Sequence, residues 1–136
     1  MTYKVIISNT KHTFPLKGLN ELLTAQDKQY DARLKRYKVT NKVKADNDRI
    51  CRIAIRKTMR GVKINKPIRC YFNIFAKDKQ HDRGNLYTAV EKSFLDALQD
   101  VKVIKNDTFD LVYDSTFHTE LDRKNPRIEV IIEEVD

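Results

Sequence analysis

The chain has few residues that punctuate a backbone and no segment that spans a membrane. Its 136 residues include only three glycines, three prolines and two cysteines. No run of about 18 apolar residues occurs, so no transmembrane helix is expected. The start, Met1-Thr2-Tyr3-Lys4-Val5-Ile6-Ile7, has an apolar run only from Val5 to Ile7 and no small-residue cleavage site, which is not the pattern of a secretory signal. Cys51 and Cys70 lack C-x-x-C spacing and a histidine cluster nearby, and His12 and His118 lack clustered carboxylate or cysteine partners. That pattern argues against zinc and predicts buried, reduced thiols. Absent as well are G-x-x-x-x-G-K-S/T, G-x-G-x-x-G and G-x-S-x-G, which argues against nucleotide hydrolysis, dinucleotide binding and serine hydrolysis. There is no internal repeat and no low-complexity segment.

What is present describes one domain, residues 1–136, near the commonest domain size. Apolar residues make up 40 % of the chain, enough for a globular core. The charge is uneven. From Lys28 to Arg69 there are 15 basic against 3 acidic residues, whereas Asp114 to Asp136 holds 3 basic against 7 acidic. A basic half suits a polyanion partner, because each Lys or Arg that neutralises a phosphate releases a counterion. A lysine-rich solvated surface has the same composition.

Hydrophobic periodicity predicts the elements. Thr2 to Ser8 reads as a strand, and Gly18 to Leu23 opens a short helical turn. Tyr30 to Tyr37 is densely basic and reads as loop or short helix. Asn41 to Arg60 is a helix with Asn41 as N-cap and Gly61 as the residue past its end. Its broad apolar face carries Asn47, Ile50, Cys51, Ala54, Ile55, Thr58 and Met59, while Arg49, Arg52, Arg56 and Arg60 fall largely elsewhere. Pro67 starts a strand in which Ile68, Cys70, Phe72 and Ile74 face one way and Arg69, Tyr71, Asn73 and Phe75 the other. Tyr71 and Phe75 are either core aromatics or platforms for stacked bases. Asn85 to Gln99 is a second helix, and Thr108 to His118 and Arg127 to Glu133 are strands. The order predicts an α+β fold, with two main helices on one face of a small mixed sheet of about four strands.

Two carboxylates flank the second helix. Asp82 follows a strand in the polar loop that starts at Lys77, beside His81, and Asp107 follows the helix. A chain returning along Val101–Ile104 brings them to one sheet end, where two convergent carboxylates make a hard-cation site of the kind magnesium takes. Equally, Asp82 caps the helix and Asp107 caps a turn, as aspartates commonly do.

Several blocks occur in a specific order: Lys17-Gly18-Leu19-Asn20-Glu21, Lys66-Pro67-Ile68-Arg69, Asp82-Arg83-Gly84-Asn85-Leu86, Lys92-Ser93-Phe94-Leu95-Asp96-Ala97-Leu98, Val103-Ile104-Lys105-Asn106-Asp107 and Asn125-Pro126-Arg127-Ile128-Glu129-Val130. Together they resemble the RusA family of Holliday-junction resolvases, over most of the chain. The resemblance implies a RusA-like fold in a homodimeric, magnesium-dependent endodeoxyribonuclease that acts on four-way DNA junctions in recombination and repair. It implies a bacterial or phage-encoded protein of the cytoplasm. Asp82 and Asp107 match metal carboxylates, and Lys92 matches a helical lysine near DNA that stabilises phosphoryl charge. Asn85 matches a loop-shaping asparagine and Asp96 a structural aspartate. Arg83, Lys92, Arg52, Arg56 and Arg60 are the candidate DNA contacts. Gly84 stands where the family pattern has a second aspartate, and glycine there also allows a positive φ. The loss of that ligand leaves open a non-catalytic protein that binds branched DNA. An RNA-binding module is the remaining alternative, without the interleaved aromatic block such modules carry.

Overall fold

The computed structural model describes residues 1–11, 13–16, 30–31, 36–78 and 83–136, with the backbone alone for 30, 31, 36–41, 83 and 85. In chain order the elements are β1 (Thr2–Ile7), β2 (Tyr30–Asp31), β3 (Arg36–Tyr37), α1 (Lys38–Met59), β4 (Ile68–Ala76), α2 (Arg83–Asp100), β5 (Val112–Leu121) and β6 (Arg127–Glu134). The fold is α+β, as expected: a four-stranded mixed sheet in the order β1-β6-β4-β5, with two main helices. The expected helical turn at Gly18–Leu23 lies outside the described residues. No helix among those described is long and apolar enough to cross a membrane.

Strand alternation sorts the side chains. Along β4 every second residue from Ile68 is buried, and β6 buries Ile128, Val130 and Ile132. Register lines these up as rows across the sheet, such as Val5, Val130, Phe72 and Phe117. The helices rest on this face. α1 buries Val43, Asn47, Cys51, Ala54, Ile55 and Met59 at helical spacing, whereas Thr58, expected on that face, is exposed. α2 buries Leu86, Val90, Phe94, Ala97 and Leu98. Phe94 meets Phe72 edge-on at 5.6 Å, and Tyr87 stacks on Phe117 at 4.5 Å. A fully buried Phe or Leu of this kind contributes about 1.5–3 kcal/mol through its removal from water.

Three differences from the sequence reading have a physical cause in the fold. Residues 30–37 include a two-residue antiparallel ladder, Tyr30 with Tyr37 and Asp31 with Arg36. α1 continues directly from it at Lys38, so Asn41 lies inside the helix; a cap preference is worth only about 1 kcal/mol and yields to the preceding chain path. The third strand begins at Val112 instead of Thr108, because the amides of Leu111 and Val112 both donate to the Thr108 carbonyl and close a turn there.

Both helices end on a residue in the left-handed region. Gly61 (φ 77°) follows α1, and nothing lies within 4 Å of a side chain placed there. Gly61→Ala is therefore expected to cost about 1 kcal/mol from backbone strain alone, read as a lower urea midpoint with an unchanged m value. After α2 the same position is held by Lys102 (φ 64°), with Val103 N–H donating to the Leu98 carbonyl (2.9 Å) and Lys102 N–H to that of Gln99 (2.9 Å). This is the Schellman pattern, with a lysine where glycine is favoured.

The connection between β4 and β5 matters most for function. The two strands are parallel, from Ile68 beside Val112 at one end to Ala76 beside Leu121 at the other. The first is called the near end and the second the far end. Two backbone bonds close the near end, Ile64 N–H to the Val103 carbonyl and Ile68 N–H to that of Leu111, and Asp122 N–H to the Ala76 carbonyl closes the far one. α2 is the return path between them, as parallel strands require a crossover.

Candidate functional site

Asp107 sits at the near end, half-buried in the turn that leads into β5. The turn is held by its neighbours. Thr108 N–H donates to Asn106 Oδ1 (3.1 Å), and the Thr108 hydroxyl donates to the Asp110 carboxylate. Asp107 makes no hydrogen bond among the described residues, so the turn-capping role belongs to Asn106 and Asp110. A carboxylate left out of the local network and open to ligands is the donor type magnesium takes.

Asp82 lies outside the described residues, as do His12 and His81. Arg83, bonded to Asp82, opens α2 at the far end, and its side chain also lies outside the description. The parallel β4–β5 pairing puts the start of α2, the element that follows Asp82, at the far end and Asp107 at the near end, and residues 101–104 form a turn and not a returning strand. The 18 residues of α2 run about 25 Å from the far end to the near end at 1.5 Å per residue. Among the described residues no three His, Cys, Asp or Glu side chains come together to hold a metal.

Gly84 is exposed in the first turn of α2, and its carbonyl accepts from the Thr88 hydroxyl (2.8 Å). It does not have the positive φ that the sequence left open. Lys92 lies mid-helix, on neither sheet end. It pairs with Asp96 (3.3 Å), which also takes Lys44 (3.0 Å), itself paired with Asp48 (2.8 Å). Burial works against the Lys44 charge, but the two carboxylates outweigh it and hold its pKa above the ordinary lysine value. Asp96 is thus structural, as expected, and joins α1 to α2; Lys92 shares that bridge.

The basic residues assemble a clearer feature. A groove of about 230 Å³ runs between the ends of α1 and α2, with Arg56, Arg60 and Lys102 on its rim and Ile55 and Met59 in its floor. A shallower hollow of about 470 Å³ continues from Lys102 past Lys63 and Lys105. None of these five cations makes an ion pair among the described residues. Arg52, the third arginine expected here, is instead neutralised by Asp100 (3.3 Å). Two helix C-termini carry partial negative charge, which favours cations beside them and accounts for part of the cluster. The cations still exceed the acids around the groove, so the surface attracts anions. Lys63, Lys102 and Lys105 escaped the sequence reading because they come from loops about 40 residues apart. The one local signal was the pair of helix-end positions that Gly61 and Lys102 occupy.

Elsewhere the groups are inert. Cys51 and Cys70 are buried and free, and burial pushes both thiols up to about 12. His118 is exposed against Glu120 (2.9 Å). Tyr71 and Phe75 are neither core nor open platforms: half-buried on the outer sheet face, Tyr71 donates to Glu133 (3.3 Å) and Phe75 lies under the Arg127 guanidinium at 3.8 Å. Compared with known proteins, the chain matches no family model and no curated sequence.

Proposed function

We propose that two copies of this chain form a magnesium-dependent endonuclease selective for four-way DNA junctions, with each metal site completed by Asp82 of one copy and Asp107 of the other. The observation that carries this is the parallel β4–β5 crossover, which sends the start of α2, just after Asp82 in the sequence, and the turn that holds Asp107 to opposite ends of one chain. An isologous two-fold reverses one copy against the other, so opposite ends become neighbours. The homodimer that the sequence resemblance implies then has a chemical purpose, since neither copy alone supplies both carboxylates.

Each group has a defined task in this reading. Asp107, with no hydrogen bond among the described residues, and Asp82 would hold the cation as hard oxygen donors. When bound there, magnesium would supply Lewis-acid chemistry at the scissile phosphate. Arg56, Arg60, Lys63, Lys102 and Lys105 neutralise phosphates of the junction arms at the near end, beside Asp107. Phosphate contacts read charge and shape and not base sequence, which suits selection of a branched structure.

A non-catalytic junction-binding protein is the second reading, favoured by Gly84, which leaves the site one carboxylate short of the family pattern. A magnesium series on a synthetic four-way junction separates the two, with Asp107→Asn as the inactive control. Gly84→Asp is expected to cut faster at limiting magnesium by on the order of tenfold, equivalent to about 1.4 kcal/mol of transition-state stabilisation. The same substitution is expected to stabilise the fold by about 0.5–1 kcal/mol, since α2 has no acidic residue in its first turn and Gly84 weakens the helix. Junction binding without cleavage by either protein at any magnesium concentration establishes the second reading.

A further inference from the structure

β5 is ten residues long and lies at the edge of the sheet, paired with β4 on one side and with no strand on the other among the described residues. An edge of this length is a template for another strand, and natural proteins usually shorten or cover it. Its exposed face is polar along the middle, with Asp114, Thr116, His118 and Glu120, and apolar at its two ends. Of the six exposed large hydrophobic side chains among the described residues, three lie on β5 or in the turn before it: Phe109 (88 % exposed), Tyr113 (59 %) and Leu121 (43 %).

We propose that this edge pairs antiparallel with β5 of a second copy, centred on Thr116, to give one continuous eight-stranded sheet. The inference rests on the dimeric reading above and names its surface. Directly opposed residues in an antiparallel pair share a face, which limits the registers to those that centre on one residue. Centring on Thr116 sets Asp114 opposite the partner's His118, and His118 opposite the partner's Asp114. It also sets the small Ser115 opposite the partner's Phe117 on the helix side. Centring on Phe117 would set Asp114 against the partner's Glu120, a like-charge pair, and the two Phe117 rings against each other. Centring on Ser115 would lose the Asp114–His118 pairs. Size and the avoidance of a like-charge pair therefore select one register, in which His118, held by Glu120 in its own chain (2.9 Å), also faces the partner's Asp114.

The same register serves the site. It brings the near end of β5 in one copy, where the strand is bulged at Tyr113, beside the far end of β5 in the partner. Above that far end stands the start of the partner's α2, whose Tyr87 packs against Phe117 and hydrogen-bonds Thr119 (2.7 Å) within each chain. The turn carrying Asp107 and the helix start that follows Asp82 thus come to the same end of the joined sheet, twice per dimer.

Cysteine cross-linking tests the register. In antiparallel pairs opposed Cα atoms are about 4.5–5.5 Å apart, within the span of a disulfide. Thr116 is exposed, so Thr116→Cys leaves the core intact, and the native thiols are buried and unreactive. Under mild oxidation Thr116→Cys is expected to form a covalent dimer. His118→Cys alone is not, because the two copies of residue 118 lie about four residues apart along the strands, roughly 13 Å. A mixture of Asp114→Cys and His118→Cys chains is expected to cross-link. If none of these cross-links while the chain sediments as a dimer, the interface lies elsewhere and the shared-site reading stands. If the chain sediments as a monomer with and without junction DNA, both the edge pairing and the shared site are wrong.

Discussion

Mixing Asp82→Asn chains with Asp107→Asn chains is expected to restore junction cleavage that neither preparation has alone. In a heterodimer of the two, one site combines the intact Asp82 of one copy with the intact Asp107 of the other, and the second site has lost both. Equal mixing with free exchange of subunits makes half the dimers mixed, so roughly a quarter of all sites are intact under two-fold assembly. The contrast is large because removal of a metal ligand typically costs far more than a factor of four in rate. Subunit exchange is verified with differently tagged chains, and nicked product is counted under single-turnover conditions. Verified heterodimers that cut no better than the parents would show that the two aspartates do not share a site across the interface. The Asp82→Asn/Asp107→Asn double variant mixed with wild type sets the baseline for dilution alone.

The second large effect concerns the groove. Joint replacement of Arg56, Arg60 and Lys102 by Glu is expected to weaken junction binding by at least a hundredfold at low salt. Each lost phosphate contact also lowers the slope of log K against log salt by about 0.9, so the triple variant should lose nearly three units of slope. Two comparisons separate a local contact from a loss of net charge. Arg123 and Lys124, exposed in the turn between β5 and β6 at the far end, can be reversed together as a charge control. Arg52→Gln should change little, since Asp100 already neutralises that guanidinium. Lys102→Gly adds an arm that leaves the fold sound: it removes one groove cation and puts glycine at a positive-φ position, so binding should fall while stability rises by several tenths of a kcal/mol. Unchanged binding by the triple variant would move the DNA surface away from the helix ends.

The candidate site was legible in the sequence only as residue types. Asp107 stands out as a carboxylate after a helix, and in the fold its neighbours Asn106 and Asp110 do the capping that a lone aspartate would otherwise do. The arginine row of α1 was legible too, but not the partner of Arg52, because Asp100 reaches it only once α2 packs against α1. Lys92 illustrates the same limit from the other side. Its place in an ordered block suggests phosphate chemistry, and the Asp96–Lys44 bridge that holds it depends on residues about 50 apart in the chain.

By itself the sequence determined what depends on near neighbours. The alternation from Ile68 to Ala76 and the apolar spacing of Leu86, Val90, Phe94 and Leu98 specify a strand and a helix, since side-chain direction follows backbone period within a few residues. It determined the basic character of residues 28–69 and the inertness of two isolated cysteines. The tertiary structure alone decided the direction in which β5 runs beside β4. Strand periodicity is the same whether a neighbour is parallel or antiparallel; that choice rests on which backbone groups and which buried rows, such as Phe72 with Phe117 and Val130, satisfy one another across the sheet. One parallel pairing put Asp107 and the start of α2 at opposite ends of the chain, and so turned a site expected within one copy into a question about two.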